Sequence, residues 1–361
     1  MKIAIDAEPA NRSGATGVEK VTLRIIEQFI KIDGGSSERQ YFLFTKDSLR
    51  TDFPKLPENF HHRKLSWPFK YFWPHLRLPL GLIKLWPDVT FIPGSIVSPF
   101  TPHPVVTIVH DIGAIERPDL YRRKNRISQT FAFWAAVKNS KVIITPTKTV
   151  AGSIKKVYPK VKAKIVPIYW GLDKEIINLE KTAIDSEILN RYNLKKGEYF
   201  IYVGRLEAKK NTQRLIEAFR QIKSENNNLQ MVLVGPDNPF IDSTGCLMIG
   251  YQNANTISAL YRNAKALVFP SEYEGFGLPV LEALACGSQA VISDLPVFRE
   301  IAGDKAIYID PESVQSIIEG MKKALSNSEN LQKDEIRVWV KEFTWEKAGR
   351  QILEQIVSTT K

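Results

Sequence analysis

The sequence predicts an α/β protein with two doubly wound domains, each a parallel sheet covered by helices. Short apolar runs that suit interior strands alternate with segments whose apolar residues recur at helical spacing, and this alternation occurs twice. The 361 residues exceed what one core usually supports and suit two domains of about 150 to 200 residues. We expect domains over 1–172 and 197–343, a polar, lysine-rich linker over 173–196, and a last helix over 344–361.

Composition narrows the class of protein. Cys246 and Cys286 are the only cysteines, so no disulfide framework is predicted and a reducing cytosol fits. The chain runs from Met1 into a strand without an apolar signal segment, and no apolar run approaches the roughly 18 residues of a membrane span. We therefore expect a cytoplasmic protein. A net charge of +11 favours an anionic partner, which charge alone leaves open among a nucleotide, a phospholipid surface and a nucleic acid.

Each predicted element rests on one of two patterns. Strands are predicted where short apolar runs occur, at 2–5, 41–45, 89–92, 105–109, 142–145, 199–203, 231–234, 246–249, 266–269, 290–293 and 306–309. Helices are predicted where apolar residues recur every three or four positions, at 16–32, 147–158, 212–222, 256–262, 278–286, 311–325 and 344–357.

Two carboxylates mark the stretch that follows the strand at 266–269. Pro270 and Ser271 end that strand, Glu274 lies in the loop, and Glu282 lies about one turn inside the next helix. In an open parallel sheet, ligands bind beyond the carboxyl ends of strands, where a following helix also offers free N–H groups. The alternative interpretation is a carboxylate that caps the helix and a second on its solvated face.

The spacing of Glu274 and Glu282 resembles the E-x7-E motif of the retaining glycosyltransferases of family 4, which have the GT-B fold of two Rossmann-like domains facing across a cleft. The resemblance implies that Glu274 contacts hydroxyls of the donor sugar and that Glu282 holds the ribose of the nucleotide. It also implies donor contacts for the rest of this loop, at Ser271, Phe276, Gly277 and Leu278. A carboxylate suits a vicinal diol because it accepts two charge-assisted hydrogen bonds.

A second motif begins at Gly204. The residues Gly204 to Asn211 resemble the family pattern G-R-x-x-x-x-K-N, which implies that Arg205 and Lys210 hold the donor diphosphate. Cations fixed in advance stabilise the charge that grows on a leaving diphosphate. Gly250 and Tyr251 fall where the family holds the nucleobase. An exposed basic loop is the alternative for the cations.

Two further features lie in the first half. The segment 13–19, which includes Gly17, resembles the glycine loop that lies near the phosphates in the family. His110 and Asp111 follow a strand, at its carboxyl end, and resemble the acceptor-domain pair of many mannosyltransferases, in which the histidine reaches the donor sugar. A simple turn and a structural histidine are the alternatives. No second His or Cys has metal-ligand spacing and no DxD motif occurs, so no metal and no other cofactor is expected.

The segment 59–87 contains no acidic residue and interleaves cations with aromatic residues. Its cations are Arg63, Lys64, Lys70, Arg77 and Lys84. Rings at headgroup depth beside cations that meet anionic lipid favour an interfacial membrane contact. The alternative is that the aromatic residues belong to the core.

Together these resemblances predict a retaining transfer of a hexose, with mannose from GDP-mannose as the best candidate, to a hydroxyl of a glycan or lipid-linked acceptor in cell-envelope polysaccharide synthesis. Such an enzyme would act at the inner face of the cell membrane. A UDP-sugar donor, or an epimerase or phosphorylase that uses a nucleotide-sugar, is the alternative within the fold. A nucleic-acid-binding protein is the distant alternative, but none of the familiar motifs occurs, so no nucleic acid partner is expected.

Overall fold

The computed structural model describes residues 1–12, 17–69, 72–102, 104–177, 183–327 and 333–360. The chain divides into two compact units, Met1–Gly171 with Trp345–Lys361, and Leu172–Thr344. Each unit holds one sheet in which all paired strands run parallel. The prediction of an α/β protein with two parallel sheets is confirmed. No helix among the described residues is both long enough and apolar enough to cross a membrane.

The sheet of the first unit has seven strands in the order β3-β2-β1-β4-β5-β6-β7. These are β1 (Lys2–Asp6), β2 (Gln40–Thr45), β3 (Phe60–Lys64), β4 (Val89–Ile92), β5 (Val105–Ile108), β6 (Val142–Thr145) and β7 (Lys164–Pro167). The sheet of the second unit has six strands in the order β10-β9-β8-β11-β12-β13. These are β8 (Tyr199–Val203), β9 (Gln230–Val234), β10 (Leu247–Met248), β11 (Ala266–Phe269), β12 (Gln289–Ser293) and β13 (Ile307–Ile309).

The helices cover these sheets. They are α1 (Gly17–Asp33), α2 (Leu78–Leu85), α3 (Gly113–Glu116), α4 (Arg123–Asn139), α5 (Lys148–Val157), α6 (Ala183–Arg191), α7 (Thr212–Glu225), α8 (Ala254–Asn263), α9 (Leu278–Ala285), α10 (Pro296–Ala302), α11 (Val314–Ser326), α12 (Lys333–Trp339) and α13 (Trp345–Ser358). The last helix, α13, packs on α1 within the first unit, and Gly349 permits the contact because a Cβ there would lie 2.4 Å from the Cβ of Gln28.

The structure differs from the predicted linker at 173–196. The described residues of this segment belong to the second unit and include α6, which packs on α8. Asp185 on α6 and Arg262 on α8 form an ion pair at 2.7 Å, with both side chains at most 5% exposed. No sustained apolar periodicity predicts this helix, and its partner Arg262 lies 77 residues further along the chain, so no local pattern contains the contact. Residues 178–182 of the predicted linker lie outside the described residues.

The segment 59–87 contains both exposed aromatic residues, as a membrane contact requires, and buried ones that belong to the core. Trp73 is 5% exposed and joins Leu78 and Leu82 of α2 in a core cluster. Phe69 and Trp86 are instead exposed, at 62% and 72%. Lys70 and Tyr71 lie outside the described residues. Some of the aromatic residues therefore belong to the core, and others remain on the surface.

Candidate active site

The candidate site is organised around the point where the second sheet reverses its strand order. From β8 the chain adds β9 and β10 on one side, and β11 then pairs with the other side of β8. Such a switch point leaves a crevice between the loops that follow the two central strands. Here these are the loop after β8, at 204–211, and the loop after β11, at 270–277. They contain Arg205, Lys210 and Glu274.

Lys210 and Glu274 are brought together by these two loops. The Lys210 Nζ donates to the Glu274 Oε1, although 64 positions separate them in sequence. The Lys210 side chain is 19% exposed and that of Glu274 is 9% exposed. Nζ also lies 5.4 Å from the ring centroid of Phe269, at the end of β11. A carboxylate and an ammonium group thus occupy the same crevice, and Coulomb attraction is weakly screened there.

Several contacts outside the predicted set join the same loops. The Glu272 backbone N–H donates to the Lys209 carbonyl at 3.0 Å, and Arg214 Nη1 lies 2.8 Å from Glu272 Oε1. Asn211 is buried and has a left-handed φ of 54°. Its side-chain amide donates to the Pro311 carbonyl at 2.6 Å and its oxygen accepts from Arg214. Asn211 ends the G-R-x-x-x-x-K-N pattern, which marks its position but not its contact with Pro311.

Arg205 differs from Lys210 in its surroundings. Its side chain is exposed, and its backbone carbonyl accepts a 2.8 Å hydrogen bond from the Tyr202 hydroxyl. Tyr202 is fully buried and stacks on Phe269. The buried tyrosine therefore anchors the backbone at Arg205 while the guanidinium group faces solvent.

Glycines let the backbone segments that follow β8, β9 and β10 approach one another closely. The Gly204 N–H donates to the Val234 carbonyl at 2.8 Å, and the Gly235 N–H donates to the Gly250 carbonyl at 3.0 Å. A Cβ at Gly235 would lie 2.1 Å from the Gly204 oxygen, so no other residue fits there. Tyr251 follows at the same edge and is 55% exposed.

The N-terminus of α9 is held in place by a second close contact, between Gly277 and the ring of Phe298. Gly277 has a φ of 91°, and a Cβ there would lie 2.5 Å from Phe298. Phe276 is buried and its ring meets Phe343 edge-on at 6.4 Å. Leu278 begins the helix directly after this turn. The first N–H groups of α9 are therefore held at the carboxyl edge of the sheet, where a helix end favours an anion.

Glu282 and Ser271 lie deeper than the crevice residues. Glu282 is 6% exposed and lies on α9. Burial raises the pKa of Tyr261 well above its ordinary value, and the nearby Glu282 charge adds to this effect. Among the described residues, the Tyr261 and Ser271 hydroxyl groups are buried without a hydrogen-bond partner. Ser271 is 0% exposed, so its hydroxyl does not face solvent as Arg205 does.

The remaining predicted residues lie in the first unit. His110 follows β5, and because a carbonyl only accepts, its Nε2 carries the proton that it donates to the Pro93 oxygen at 2.8 Å. Burial lowers the pKa of His110, which favours the neutral ring with Nδ1 as an acceptor. Asp111 accepts from the Gly113 N–H at 2.9 Å. Gly17 begins α1, whereas the predicted loop residues 13–16 lie outside the described residues.

Across the described ranges, no group of three or more His, Cys, Asp and Glu side chains could hold a metal ion. The expectation of a metal-free reaction remains a prediction about chemistry.

Part of the chain matches a family of known proteins. Residues 185–337 match the family model described as glycosyl transferases group 1. O-antigen chain mannosyltransferase B of Escherichia coli is 25% identical over 294 residues, which cover 77% of each chain. The O-antigen chain mannosyltransferase RfbU of Salmonella typhimurium is 29% identical over 280 residues, covering 74% of this chain and 72% of that protein.

Solved structures agree with the fold. WaaG, a glycosyltransferase involved in lipopolysaccharide biosynthesis, superposes with a TM-score of 0.71 at 17% identity, over 99% of each chain. HepE of Anabaena in complex with UDP-glucose gives a TM-score of 0.74 at 16% identity, over 99% of this chain and all of that one. The GT-B fold and the glycosyltransferase class predicted from the motifs are thereby confirmed, and the matches support a mannosyltransferase-like family. Residues 185–337 form a glycosyl transferases group 1 domain, and the chain is a glycosyltransferase of the GT-B fold that resembles the O-antigen mannosyltransferases.

Proposed function

We propose that this glycosyltransferase moves mannose from GDP-mannose to a hydroxyl of a glycan or lipid-linked acceptor, with the anomeric configuration retained. The observation that carries the proposal is the Lys210–Glu274 pair at the switch point of the second sheet. The similarity to O-antigen mannosyltransferases supports mannose as the sugar and a cell-envelope polysaccharide as the product.

The donor would be held along the carboxyl edge of the second sheet. Arg205 and Lys210 hold its diphosphate, and the α9 entrance at Phe276, Gly277 and Leu278 supplies backbone N–H groups beside it. The buried Glu282 holds the ribose, and the base stacks near Gly250 and Tyr251. Charge-assisted hydrogen bonds are about twice as strong as neutral ones, which suits a ligand with two phosphates and several hydroxyls.

In the proposed reaction, the bond between the anomeric carbon and the diphosphate oxygen breaks, and the acceptor oxygen bonds to the same face of that carbon. The acceptor proton passes to the leaving phosphate oxygen. Arg205 and Lys210 stabilise the charge that develops on the diphosphate without reorganising. Glu274 orients the sugar through its hydroxyls, from which a carboxylate accepts hydrogen bonds. No metal takes part in this scheme.

A donor panel tests the proposal. Purified protein is incubated with GDP-mannose, UDP-glucose and other nucleotide-sugars in the presence of cell-envelope lipid extract, and released nucleotide is measured. GDP release restricted to GDP-mannose supports the donor, and an α-linked product by NMR supports retention because the donor is itself α-linked. Release of UDP from a UDP-sugar, or a β-linked product, contradicts the respective part. The Lys210→Ala variant controls for contaminating hydrolases.

The place of action is also proposed. A lipid-linked acceptor would bring the enzyme to the cytoplasmic face of the membrane as a peripheral protein, and the segment 59–87 is the contact that the sequence offers for it. Its exposed Phe69 and Trp86 support that contact, whereas the buried Trp73 takes no part.

A further inference from the structure

One buried tyrosine of the second unit is not among the residues assigned to the proposed reaction. Tyr261 lies in the last turn of α8 and is fully buried. Its hydroxyl has no hydrogen-bond partner among the described residues. Buried polar groups nearly always have a partner, so an exception in a folded protein calls for an explanation. Packing alone does not supply one, because a phenylalanine would fill the same space without burying a hydroxyl.

Two other tyrosines show what a buried hydroxyl does in this unit when its role is structural. Tyr199 is fully buried, and its hydroxyl donates to the Leu260 carbonyl at 2.6 Å, which ties β8 to α8. Tyr202 is also fully buried, and its hydroxyl donates to the Arg205 carbonyl at 2.8 Å. Each of these hydroxyls satisfies a backbone oxygen, whereas the Tyr261 hydroxyl satisfies none. A buried hydroxyl without a partner lowers the stability of the folded state.

Tyr261 lies close to Glu282, because α8 packs on α9. Burial is the main cause of the raised pKa of Tyr261, and the Glu282 charge, Cys286 and Tyr202 raise it further. The hydroxyl therefore keeps its proton at neutral pH and can act as a hydrogen-bond donor. Glu282 is itself 6% exposed, so water screens the interaction between the two groups only weakly.

Of the three groups that act on the Tyr261 hydroxyl, Glu282 is the one best suited to accept from it. The Cys286 thiol donates to the Ile176 carbonyl at 3.2 Å, and the Tyr202 hydroxyl donates to a backbone carbonyl as described above. Burial raises the pKa of both groups, so both stay neutral at pH 7. A carboxylate is the better acceptor, because charge-assisted hydrogen bonds are about twice as strong as neutral ones.

A carboxylate can serve Tyr261 and a nucleotide at the same time. Its two oxygens offer about four lone-pair sites. The two hydroxyls of a ribose use two of these sites in the role proposed for Glu282, and the Tyr261 hydroxyl would use a third. Hydrogen bonds in an enzyme site often become short and well aligned only when the substrate is bound. A buried donor beside Glu282 therefore fits a bond that forms together with the contact to the ribose.

We propose that Tyr261 is a positioning residue for the nucleotide, whose hydroxyl donates to the Glu282 carboxylate when that carboxylate accepts the ribose hydroxyls. This bond holds the carboxylate in the orientation that both ribose hydroxyls need, so Tyr261 raises nucleotide affinity without touching the nucleotide. The inference rests on the ribose role of Glu282 in the proposed function and adds the group that orients this carboxylate. Because GDP and UDP share the ribose, it does not depend on the base.

Tyr261→Phe tests the proposal, because it removes the hydroxyl and keeps the ring. Calorimetric titration with GDP, and with UDP in parallel, is expected to show an affinity about 5- to 50-fold lower than that of wild type. KM for the donor should rise while kcat changes less than about twofold, since the ribose does not react. The melting temperature without nucleotide should rise by about 1 to 4 °C, because the variant no longer buries an unpartnered hydroxyl. Stability and affinity should thus change in opposite directions.

Tyr199→Phe is the matched control, since it removes a hydroxyl that is equally buried but has a partner. Its melting temperature should fall, because the Leu260 carbonyl loses its donor, and its nucleotide affinity should stay within about twofold of wild type. A double-mutant cycle shows whether Tyr261 acts through Glu282. In the Glu282→Ala background, Tyr261→Phe should change nucleotide affinity by less than about twofold. The ligand 2′,3′-dideoxy-GDP lacks both ribose hydroxyls and should bind wild type and Tyr261→Phe alike.

Three results would overturn the proposal. They are unchanged nucleotide affinity in Tyr261→Phe, an equal loss of affinity in Tyr199→Phe, and a loss in Tyr261→Phe that persists in full with Glu282→Ala or with the dideoxy nucleotide. The Glu282→Ala variant separates this inference from the proposed function. If Glu282→Ala binds nucleotide as wild type does, the ribose role fails and the inference fails with it. If Glu282→Ala weakens binding and Tyr261→Phe does not, the inference alone fails.

Discussion

The Lys210 ammonium group and the Glu274 carboxylate form an ion pair that joins the loops after β8 and β11. Both side chains are more than four-fifths buried, so each lowers the cost of placing the other charge in the crevice. One is the proposed partner of the donor diphosphate and the other of the donor sugar. The pair therefore prepares both charges at the positions where the reaction would use them.

Lys210→Ala is expected to reduce kcat roughly 100- to 1,000-fold, because it removes a fixed cation from the charge that develops on the leaving diphosphate. The affinity for the nucleotide product should fall less, since a group used in the transition state affects turnover more than binding. Steady-state kinetics and calorimetric titration of GDP measure the two effects. Lys209→Ala is the matched control, because Lys209 lies next in sequence but directs its Nζ toward the Tyr273 ring, at 5.4 Å. Equal losses in both variants would contradict the role of Lys210.

Glu274→Ala and Glu282→Ala should lower two different quantities, turnover in the first variant and nucleotide affinity in the second. Loss of a hydrogen bond to a charged group costs about 1.5 to 3 kcal/mol. We expect Glu282→Ala to lose this amount in nucleotide affinity, because the ribose does not react. For Glu274→Ala, the same amount should appear mainly as a higher barrier to turnover, because the sugar that Glu274 contacts changes charge in the reaction. Titration with GDP and kinetics with the donor separate the effects, and equal changes in nucleotide affinity would show that the two roles are misassigned.

Activity is expected to survive EDTA, because side-chain cations rather than a metal ion hold the diphosphate in the proposed scheme. The measurement compares initial rates before and after chelation, with magnesium and manganese added back separately. A loss that either metal restores would show that the diphosphate is held through that metal.

The sequence could predict the elements around the site because they obey local rules. The run at 266–269 matches β11 without a shift, and the glycine at 277 marks the turn into α9. Helix α4 was not predicted, because its apolar residues point both inward, as Phe133 does, and outward, as Trp134 does, so no single stripe appears. The role of Asn211 as an anchor depends on Pro311, 100 residues away, which no local pattern contains.

The buried Asp185–Arg262 pair should contribute more to the free energy of unfolding than an exposed ion pair on the same helix. Arg262→Ala leaves the Asp185 carboxylate, 4% exposed, without this partner, and breaking such a pair costs about 3 to 5 kcal/mol. Arg191→Ala on α6 is the matched control, because its pair with Glu187 is more than half exposed and such pairs contribute about 0 to 1 kcal/mol. Urea unfolding followed by circular dichroism measures both. Similar losses of unfolding free energy in the two variants would show that burial does not determine how much the Asp185–Arg262 pair contributes to stability.

Asp6 predicts how stability responds to pH. It ends β1 and is 7% exposed, and burial raises its pKa to about 7, with the Glu8 N–H at 3.2 Å acting against this rise. In the unfolded chain an aspartate has a pKa of about 3.9. Between these values the folded state keeps the proton and the unfolded state releases it, so stability falls as pH rises and levels off above the folded pKa.

At about 1.4 kcal/mol per pKa unit, the fall attributable to Asp6 is on the order of 4 kcal/mol. Other carboxylates also change stability over this range of pH. The informative quantity is therefore the difference in the free energy of unfolding between wild type and Asp6→Asn. We expect the variant to gain stability relative to wild type as pH rises from about 4 to 7, since asparagine never ionises. Urea unfolding at several pH values measures this difference, with the exposed Asp47→Asn as the control. A difference that stays constant with pH would show that Asp6 does not hold its proton in the folded protein.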